Sequence, residues 1–242
     1  MPAVFRPRRP VTSNTARCHR RTAISRFTPP GIGREGVAEV LTLAAVAEDP
    51  LVLTRRLNLN DGSEVVFRPL VHADAERLAG LLEELSAESR RLSPFDGYDL
   101  GAARKLCDAI ARYDKLRLVL EDVSSGRIVG LVEFSLDLHP ADIARYREAG
   151  IHLEATDCRF GLSLADDYQG RGVGTRIFPL VVDVAQRFGR KRIILFGGVL
   201  ADNPRAIRYY EKHGFRLVGS FTGRDGARSF DMILDLRPPP GR

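Results

Sequence analysis

Hydrophobic and polar positions change period several times along this chain, and each change marks a predicted element. Leucines at positions 78, 81, 82 and 85 recur with a helical period and predict an amphipathic helix over 73–85. Short apolar runs bounded by turn residues predict strands, as over 128–136 after the turn at 124–126. Further strands are predicted over 51–59, 64–68, 116–121, 159–164, 192–199, 215–221 and 229–236, and further helices over 37–47, 100–113, 141–148, 172–187 and 204–212.

Strands and helices that follow one another in this order predict an α/β (α+β) fold in which helices cover a sheet. No apolar run is long enough to span a bilayer, so we expect no association with a membrane. The three cysteines, Cys18, Cys107 and Cys158, lie far apart and show no zinc-ligand spacing. This pattern favours a reducing compartment, and hence a cytoplasmic location.

The charge of the chain is concentrated near its N-terminus. Residues 1–34 contain eight arginines and no acidic residue, whereas the remainder has 29 basic and 31 acidic residues. The composition predicts a disordered basic extension over 1–50, and a false translation start, a targeting segment and a nucleic-acid arm all stay open as explanations. The predicted domain over 51–237, followed by a short tail over 238–242, lacks the basic excess of nucleic-acid-binding domains, which disfavours such a partner.

The most informative motif follows the strand predicted over 159–164. It reads Gln169-Gly170-Arg171-Gly172-Val173-Gly174-Thr175 and stands between that strand and a predicted helix. Glycines allow a sharp turn and a close approach of backbone N–H groups to a ligand, and the helix start adds unpaired donors. These features predict a cradle for a pyrophosphate. The spacing matches neither a P-loop nor the dinucleotide motif G-x-G-x-x-G.

A second motif follows the next strand. Asn203 is placed to cap a helix, Pro204 stands in its first turn, and Gly214 ends it before Phe215. Read as Gln-x-x-Gly-x-Gly and Asn-x-x-Ala-x-x-x-Tyr-x-x-x-Gly-Phe, the two motifs resemble the signature of the GNAT superfamily of acyl-CoA N-acyltransferases. The resemblance implies a mixed, mostly antiparallel sheet of about seven strands. It also implies that the sheet splits between the strands over 159–164 and 192–199, where the thioester enters.

The resemblance further implies which residues hold acetyl-CoA as the cosubstrate. The pyrophosphate would lie on the backbone of Gln169, Gly170, Arg171, Gly172, Val173, Gly174 and Thr175. The backbone of Leu162, Ser163 and Leu164 would pair with the pantetheine arm, and Asn203 would contact the arm near the thiol. Tyr210 would protonate the leaving thiolate, while the adjacent Tyr209 packs. Arg171 is either a phosphate contact or a solvated loop arginine.

The residue that accepts the proton of the attacking amine is less clearly marked. The N-terminal half, through segments such as 86–90, resembles the bacterial protein-lysine acetyltransferase (Pat-like) branch, in which a glutamate opens the strand before the glycine loop. Arg159 stands at that position here, and arginine does not act as a base at neutral pH. Glu133, inside an apolar strand, and Asp157, two residues before Arg159, are the catalytic candidates, and Glu154 is a weaker third choice. Glu133 also has the alternative of a structural buried acid.

These observations favour an acetyl-CoA-dependent N-acetyltransferase that acetylates a primary amine by direct attack in a ternary complex. Arg159 and the charged insertion over 138–150 disfavour a polyamine and suit an amine that carries a carboxylate or a modified small amine, rather than a protein lysine. No metal is expected, and the active species would be a monomer or a homodimer. The alternative is a regulatory module that binds acyl-CoA without turnover.

Overall fold

The computed structural model describes residues 40–93, 95–110, 114–223 and 226–236. Its helices are α1 (Leu43–Glu48), α2 (Ala75–Glu84), α3 (Ala87–Leu92), α4 (Leu100–Asp108), α5 (Pro140–Glu148), α6 (Val173–Arg187) and α7 (Pro204–Lys212). Its strands are β1 (Arg55–Asn58), β2 (Glu64–Pro69), β3 (Lys115–Asp122), β4 (Ile128–Ser135), β5 (Asp157–Leu164), β6 (Arg192–Leu195), β7 (Val199–Leu200), β8 (Arg216–Thr222) and β9 (Arg228–Asp235). The basic segment over 1–34 and the tail over 238–242 lie outside the described residues.

The strands form one mixed sheet, as predicted, with nine strands in the described part of the chain rather than about seven. Strands β1 to β5 are antiparallel neighbours in chain order, and β5 then pairs in parallel with β6. β9 lies beyond β6 and also pairs with β7 and β8, in each case antiparallel. The mostly antiparallel α/β fold expected from the sequence is therefore confirmed.

The run over 192–199 was expected to be one strand, and it is broken. β6 and β7 pair with the same strand, β9, but Phe196, Gly197 and Gly198 between them leave the ladder. Both glycines have positive φ, 72° and 77°, a backbone region that glycine enters without a steric penalty. The paired glycines in the sequence are the signal for this break, because two of them in a strand interior mark a bend.

The helices cover the sheet through their apolar faces. In α2, Leu78, Leu81 and Leu82 are buried, as their spacing predicts, and each such burial contributes roughly 1.5–3 kcal/mol. Helix α1 is also part of the fold, because Val46 is buried and the Leu41 N–H donates to the Arg187 carbonyl at 2.8 Å. The folded unit thus extends to at least residue 40, ahead of the predicted boundary at residue 50.

Two helices of the fold bear on the site. Helix α3 occupies a stretch for which no helix was predicted, and Ser86 caps it by accepting from the Ser89 N–H at 3.2 Å. Helix α5 lies in the charged insertion, and its Tyr146 is buried and donates to the Met232 carbonyl at 2.7 Å. Within the described ranges, no helix is both long and apolar enough to cross a membrane.

Candidate active site

The glycine loop, residues 169–172, follows a 3-10 turn over Asp166–Tyr168 and leads into α6 through backbone conformations that favour glycine. Gly170 and Gly172 have φ of 75° and 79°, and Gly172 is the residue that precedes the first turn of α6. The N–H groups from Gly170 to Thr175 have no intramolecular acceptor among the described residues. Six consecutive donors at the positive end of a helix form a site for an anionic ligand with several oxygen atoms.

The third glycine of the motif serves packing rather than the turn. A Cβ on Gly174 would stand 3.0 Å from the Tyr209 ring and 3.5 Å from Leu162. The Tyr209 hydroxyl also donates to the Gly174 carbonyl at 3.3 Å. Tyr209 therefore packs, as predicted, and it holds α7 against the first turn of α6.

Gln169 holds the loop in place through its side chain. Its Nε2 donates to the Leu164 carbonyl at 2.9 Å and to the Ser89 hydroxyl at 3.0 Å, and its Oε1 accepts from Arg205. Asp166 adds a second link, because it accepts from the Ser86 N–H at 2.7 Å and from the Ser89 hydroxyl. Burial would raise the pKa of Asp166, but these hydrogen bonds outweigh it and lower the pKa.

Arg171 points away from the cavity that the loop borders. Its guanidinium pairs with Asp61, with Nε 2.9 Å from the carboxylate, and stacks 4.5 Å from the centre of the Tyr168 ring. Hydrogen bonds from Ser63 and from Arg171 lower the pKa of Asp61. The Arg171 charge is thus matched within the protein, while its backbone N–H remains one of the six donors.

The split in the sheet begins at Phe160. Parallel pairing of β5 with β6 covers Asp157 to Phe160, and the last link is the Phe196 N–H donating to the Phe160 carbonyl at 2.8 Å. Beyond Phe160, β5 pairs with β4 along one edge, and its other edge has no partner among the described strands. The Ala165 N–H donates to the carbonyl of Val129 in β4. Because backbone groups alternate in direction along a strand, every second residue before Ala165 also directs its N–H and carbonyl toward β4.

Leu162 and Leu164 therefore direct their backbone groups into the split, whereas Ser163 directs its own toward β4. The Leu164 carbonyl is taken by Gln169, which leaves its N–H and both groups of Leu162 for an extended ligand. Residues 160–164 span about 13 Å at the rise of a strand, which separates the glycine loop from the start of the split.

Helix α7 borders the opposite side of the split. Asn203 caps it by accepting from the Ala206 N–H at 3.1 Å. Tyr210 lies one turn beyond Ala206, with ring centres of Tyr209 and Phe215 each 5.2 Å away, and its hydroxyl has no partner among the described residues. Burial raises the pKa of Tyr210 to about 12, so the phenol keeps its proton at neutral pH.

A cavity of about 640 Å³ joins these parts. It runs from the glycine loop along β5 to the break between β6 and β7. Predicted site residues that line it are Leu162, Ser163, Leu164, Gln169, Gly170, Gly172, Val173, Gly174, Thr175, Asn203 and Tyr210. Helix α3 contributes Ser89, Arg91 and Leu92, which were not predicted as site residues. The sequence signal for α3 is the capping serine at 86 with a second serine three residues later.

The two catalytic carboxylate candidates lie in different places. Asp157 is fully buried at the closed end of the β5–β6 pair, where Arg192 donates to both of its oxygens at 2.8 and 2.7 Å. Glu133 lies directly opposite Gly161 in the ladder, and Gly161 lines the cavity at the split. Glu133 accepts from the Arg117 Nε at 2.8 Å. Neither carboxylate is itself among the lining residues of the described chain.

Arg159 is not free to bind an acceptor carboxylate. Its Nε lies 2.7 Å from Asp142 of α5, in an ion pair whose N–H is not aligned as a hydrogen bond, and its guanidinium stacks 3.8 Å from the centre of the Phe196 ring. Burial lowers the pKa of Arg159, and Asp142 opposes that shift. The insertion helix therefore fills the side of β5 on which a catalytic glutamate was expected.

A family model described as the acetyltransferase (GNAT) family matches residues 79–215, more than half of the chain. The chain belongs to this GNAT family. Acetyltransferase PA5475 of Pseudomonas aeruginosa is 30% identical over 136 residues, which cover 56% of this chain and 67% of that protein.

Two solved structures share the GNAT fold. The GNAT domain of S. lividans PAT has a TM-score of 0.59 at 24% identity, over 77% of this chain and 99% of that one. The structure of AAC(6')-Ib in complex with ribostamycin and coenzyme A has a TM-score of 0.56 at 20% identity, over 71% and 93%. The GNAT fold that the two sequence motifs implied is thus confirmed.

Membership of the GNAT family makes this chain an acyl-CoA-dependent N-acetyltransferase, and its residues fit that cosubstrate. The six unpaired N–H groups from Gly170 to Thr175 suit a pyrophosphate, and the free backbone groups of Leu162 suit the amides of a pantetheine arm. The cavity is continuous between them.

Proposed function

We propose that this GNAT protein transfers an acetyl group from acetyl-CoA to the primary amine of a small molecule, by direct attack within a ternary complex. The observation that carries the proposal is the Tyr210 phenol, protonated and without a partner among the described residues, on the cavity wall opposite the unpaired edge of β5. The Leu162 backbone would hold the arm, and Asn203 would contact it near the thiol.

In the proposed reaction the amine nitrogen attacks the thioester carbon, the new C–N bond forms, and the C–S bond breaks. The Tyr210 hydroxyl gives its proton to the departing thiolate. The proton lost by the amine passes to Glu133 through a water molecule, since Glu133 lies behind the cavity wall at Gly161. Glu133 is preferred to Asp157 because it faces Gly161 at the split, whereas both Asp157 oxygens are engaged by Arg192.

The environment of the described cysteines supports direct transfer over a covalent acyl-enzyme. Cys107 and Cys158 are buried, and burial raises the pKa of the Cys158 thiol to about 12 and that of Cys107 to about 11. A thiol with such a pKa holds almost no thiolate at neutral pH, and the thiolate is the nucleophile. Cys18 lies outside the described residues.

Isothermal titration with acetyl-CoA and with longer acyl-CoA esters tests the first step. We expect acetyl-CoA to bind with micromolar affinity, and a lack of binding at millimolar ligand would refute the proposal. Thiol release with a panel of amines tests the second step. Turnover that is lost in Tyr210→Phe and kept in Cys158→Ser supports direct transfer.

A regulatory module that binds acyl-CoA without turnover remains the alternative function. Arg159 at the expected position of the base motivates it, since an arginine does not accept a proton. Tight acetyl-CoA binding combined with no thiol release for every amine of the panel would favour this alternative over the enzyme.

A further inference from the structure

The far end of the cavity is apolar and aromatic. We call it the acceptor end and define it by Phe196, Gly197, Gly198 and Phe221, which line the cavity at the break between β6 and β7. No Asp or Glu is found among the described residues that line any part of the cavity. A site built for a polycation normally offers carboxylates to it, because a buried or half-buried ammonium needs a partner.

Phe196 is the most unusual residue of the acceptor end, because it is a large apolar side chain that is 38% exposed inside a cavity. Its position is fixed by its own N–H, which donates to Phe160 where the sheet opens. Arg159 stacks at 3.8 Å from its ring centre, and the Lys115 ammonium lies at 4.3 Å. The part of the Phe196 side chain that these cations leave uncovered lies at the split and is accessible to an apolar ligand.

Phe221 is held just as firmly. The Arg145 guanidinium stacks 3.9 Å from its ring centre, and the ring lies so close to Gly198 that a Cβ there would stand 2.8 Å from it. Neither Phe196 nor Phe221 stacks on another aromatic side chain of the described chain. Phe196 is therefore held by two cations and by its own backbone N–H, and Phe221 is held by Arg145 and by its contact with Gly198.

One carboxylate of α5 joins the two cations. Asp142, 2% exposed, lies 2.6 Å from Arg145 and 2.7 Å from Arg159. Arg145 is also bound by Asp231 of β9 at 3.0 Å. The insertion helix α5 thus fixes the two arginines that stack on Phe196 and Phe221. The carboxylates of this network, Asp142 and Asp231, are already paired with arginines.

We propose that the acceptor is a primary amine on an uncharged aromatic body, which lies against Phe196 and Phe221. Asp142 is a positioning residue, because it orders both rings through Arg145 and Arg159 without touching the acceptor. Aromatic side chains favour a second ring beyond the gain from buried area. The positive charges of Arg159, Lys115 and Arg145 over these rings disfavour a polyamine. This inference rests on the proposed function and names its substrate class.

The test measures kcat/KM by thiol release with acetyl-CoA for four acceptors: phenethylamine, tryptamine, spermidine and a lysine-containing peptide. We expect the two arylalkylamines to exceed spermidine and the peptide by at least tenfold. Spermidine or the peptide as the better acceptor would overturn the inference and leave the proposed function intact. No turnover with any amine, despite acetyl-CoA binding, would overturn the proposed function as well.

Variants test the residues of the acceptor end. Phe196→Ala should raise KM for phenethylamine about tenfold, in line with the loss of a ring contact and its buried area, with KM for acetyl-CoA unchanged. Phe196→Tyr, which keeps the ring, should restore the wild-type KM. Asp142→Asn should raise KM for the amine alone. Equal changes in both KM values, or none in Phe196→Ala, would overturn the assignment.

Discussion

Asp157 offers a sharp test of whether a buried carboxylate here is structural or catalytic. Arg192 donates to both of its oxygens at 2.8 and 2.7 Å, and the Glu154 N–H donates at 2.7 Å. Asp157→Asn removes the charge and turns one acceptor into a donor that faces the guanidinium. Because Asp157 is 0% exposed, no water replaces the lost partner.

Breaking a buried ion pair by removing one partner costs about 3–5 kcal/mol. We expect a loss at the lower end of this range, about 3 kcal/mol, because Arg192 keeps its hydrogen bond to the His152 carbonyl at 2.8 Å. For a domain of roughly 200 residues, a loss of about 3 kcal/mol lowers Tm by about 6–12 °C. Thermal unfolding followed by circular dichroism measures this shift. kcat/KM measured well below the lowered Tm should stay within about twofold of the wild type.

A matched control is Asp235→Asn, because Asp235 also pairs with an arginine, Arg216 at 3.6 Å, but is 62% exposed. Exposed pairs contribute about 0–1 kcal/mol, so its Tm should barely move. A variant Asp157→Asn with the wild-type Tm would refute the structural reasoning. A drop in kcat/KM of tenfold or more at unchanged Tm would instead return Asp157 to the catalytic residues.

Three further predictions concern the site. Glu133→Gln should lower kcat/KM at least about tenfold, the lower edge for loss of a general base, and steady-state rates across pH check it. Burial raises the pKa of Tyr210 from its ordinary value to about 12. The contribution of Tyr210 to the free energy of unfolding is therefore complete below pH 10 and is lost as pH rises through about 12. In urea titrations, Tyr210→Phe should reduce this loss of unfolding free energy at alkaline pH. Gly198→Ala should lower Tm by more than Gly197→Ala. Both glycines have positive φ, but only a Cβ at position 198 would stand 2.8 Å from the Phe221 ring and from a backbone oxygen. Calorimetry on the two variants measures the difference in Tm.

Local patterns predicted the parts of this site that local chemistry builds. The strand, the glycine loop and α6 follow from the pattern over residues 159–187, and Asn203 with Gly214 sets the ends of α7, so the order of these elements around the cavity could be predicted. The periodicity of α2 was equally direct. At these positions the residue type and its spacing along the chain are enough to predict its structural role.

The remainder depends on partners far apart in the chain. Arg171 appeared free to meet a phosphate, yet its partner is Asp61 in the turn after β1. Arg159 suggested a carboxylate acceptor, yet Asp142 of the insertion already occupies it. No spacing rule connects such residues, because the sheet brings them together only after folding. The break at Phe196 was missed for another reason, since the apolar run over 192–200 hides its two glycines.

The position of β9 has a consequence for how this protein is made. β9 pairs with β6, β7 and β8, and its ladder partners on β6 include Ile193 and Ile194, which are fully buried in the finished fold. The ribosome synthesises residues 196–227 after β6 and before β9, so a nascent chain carries an apolar, unpaired strand edge during that interval. Such edges invite aggregation. Slow translation across this stretch, or a stop codon just before residue 228, should therefore send the chain to chaperones or into inclusion bodies.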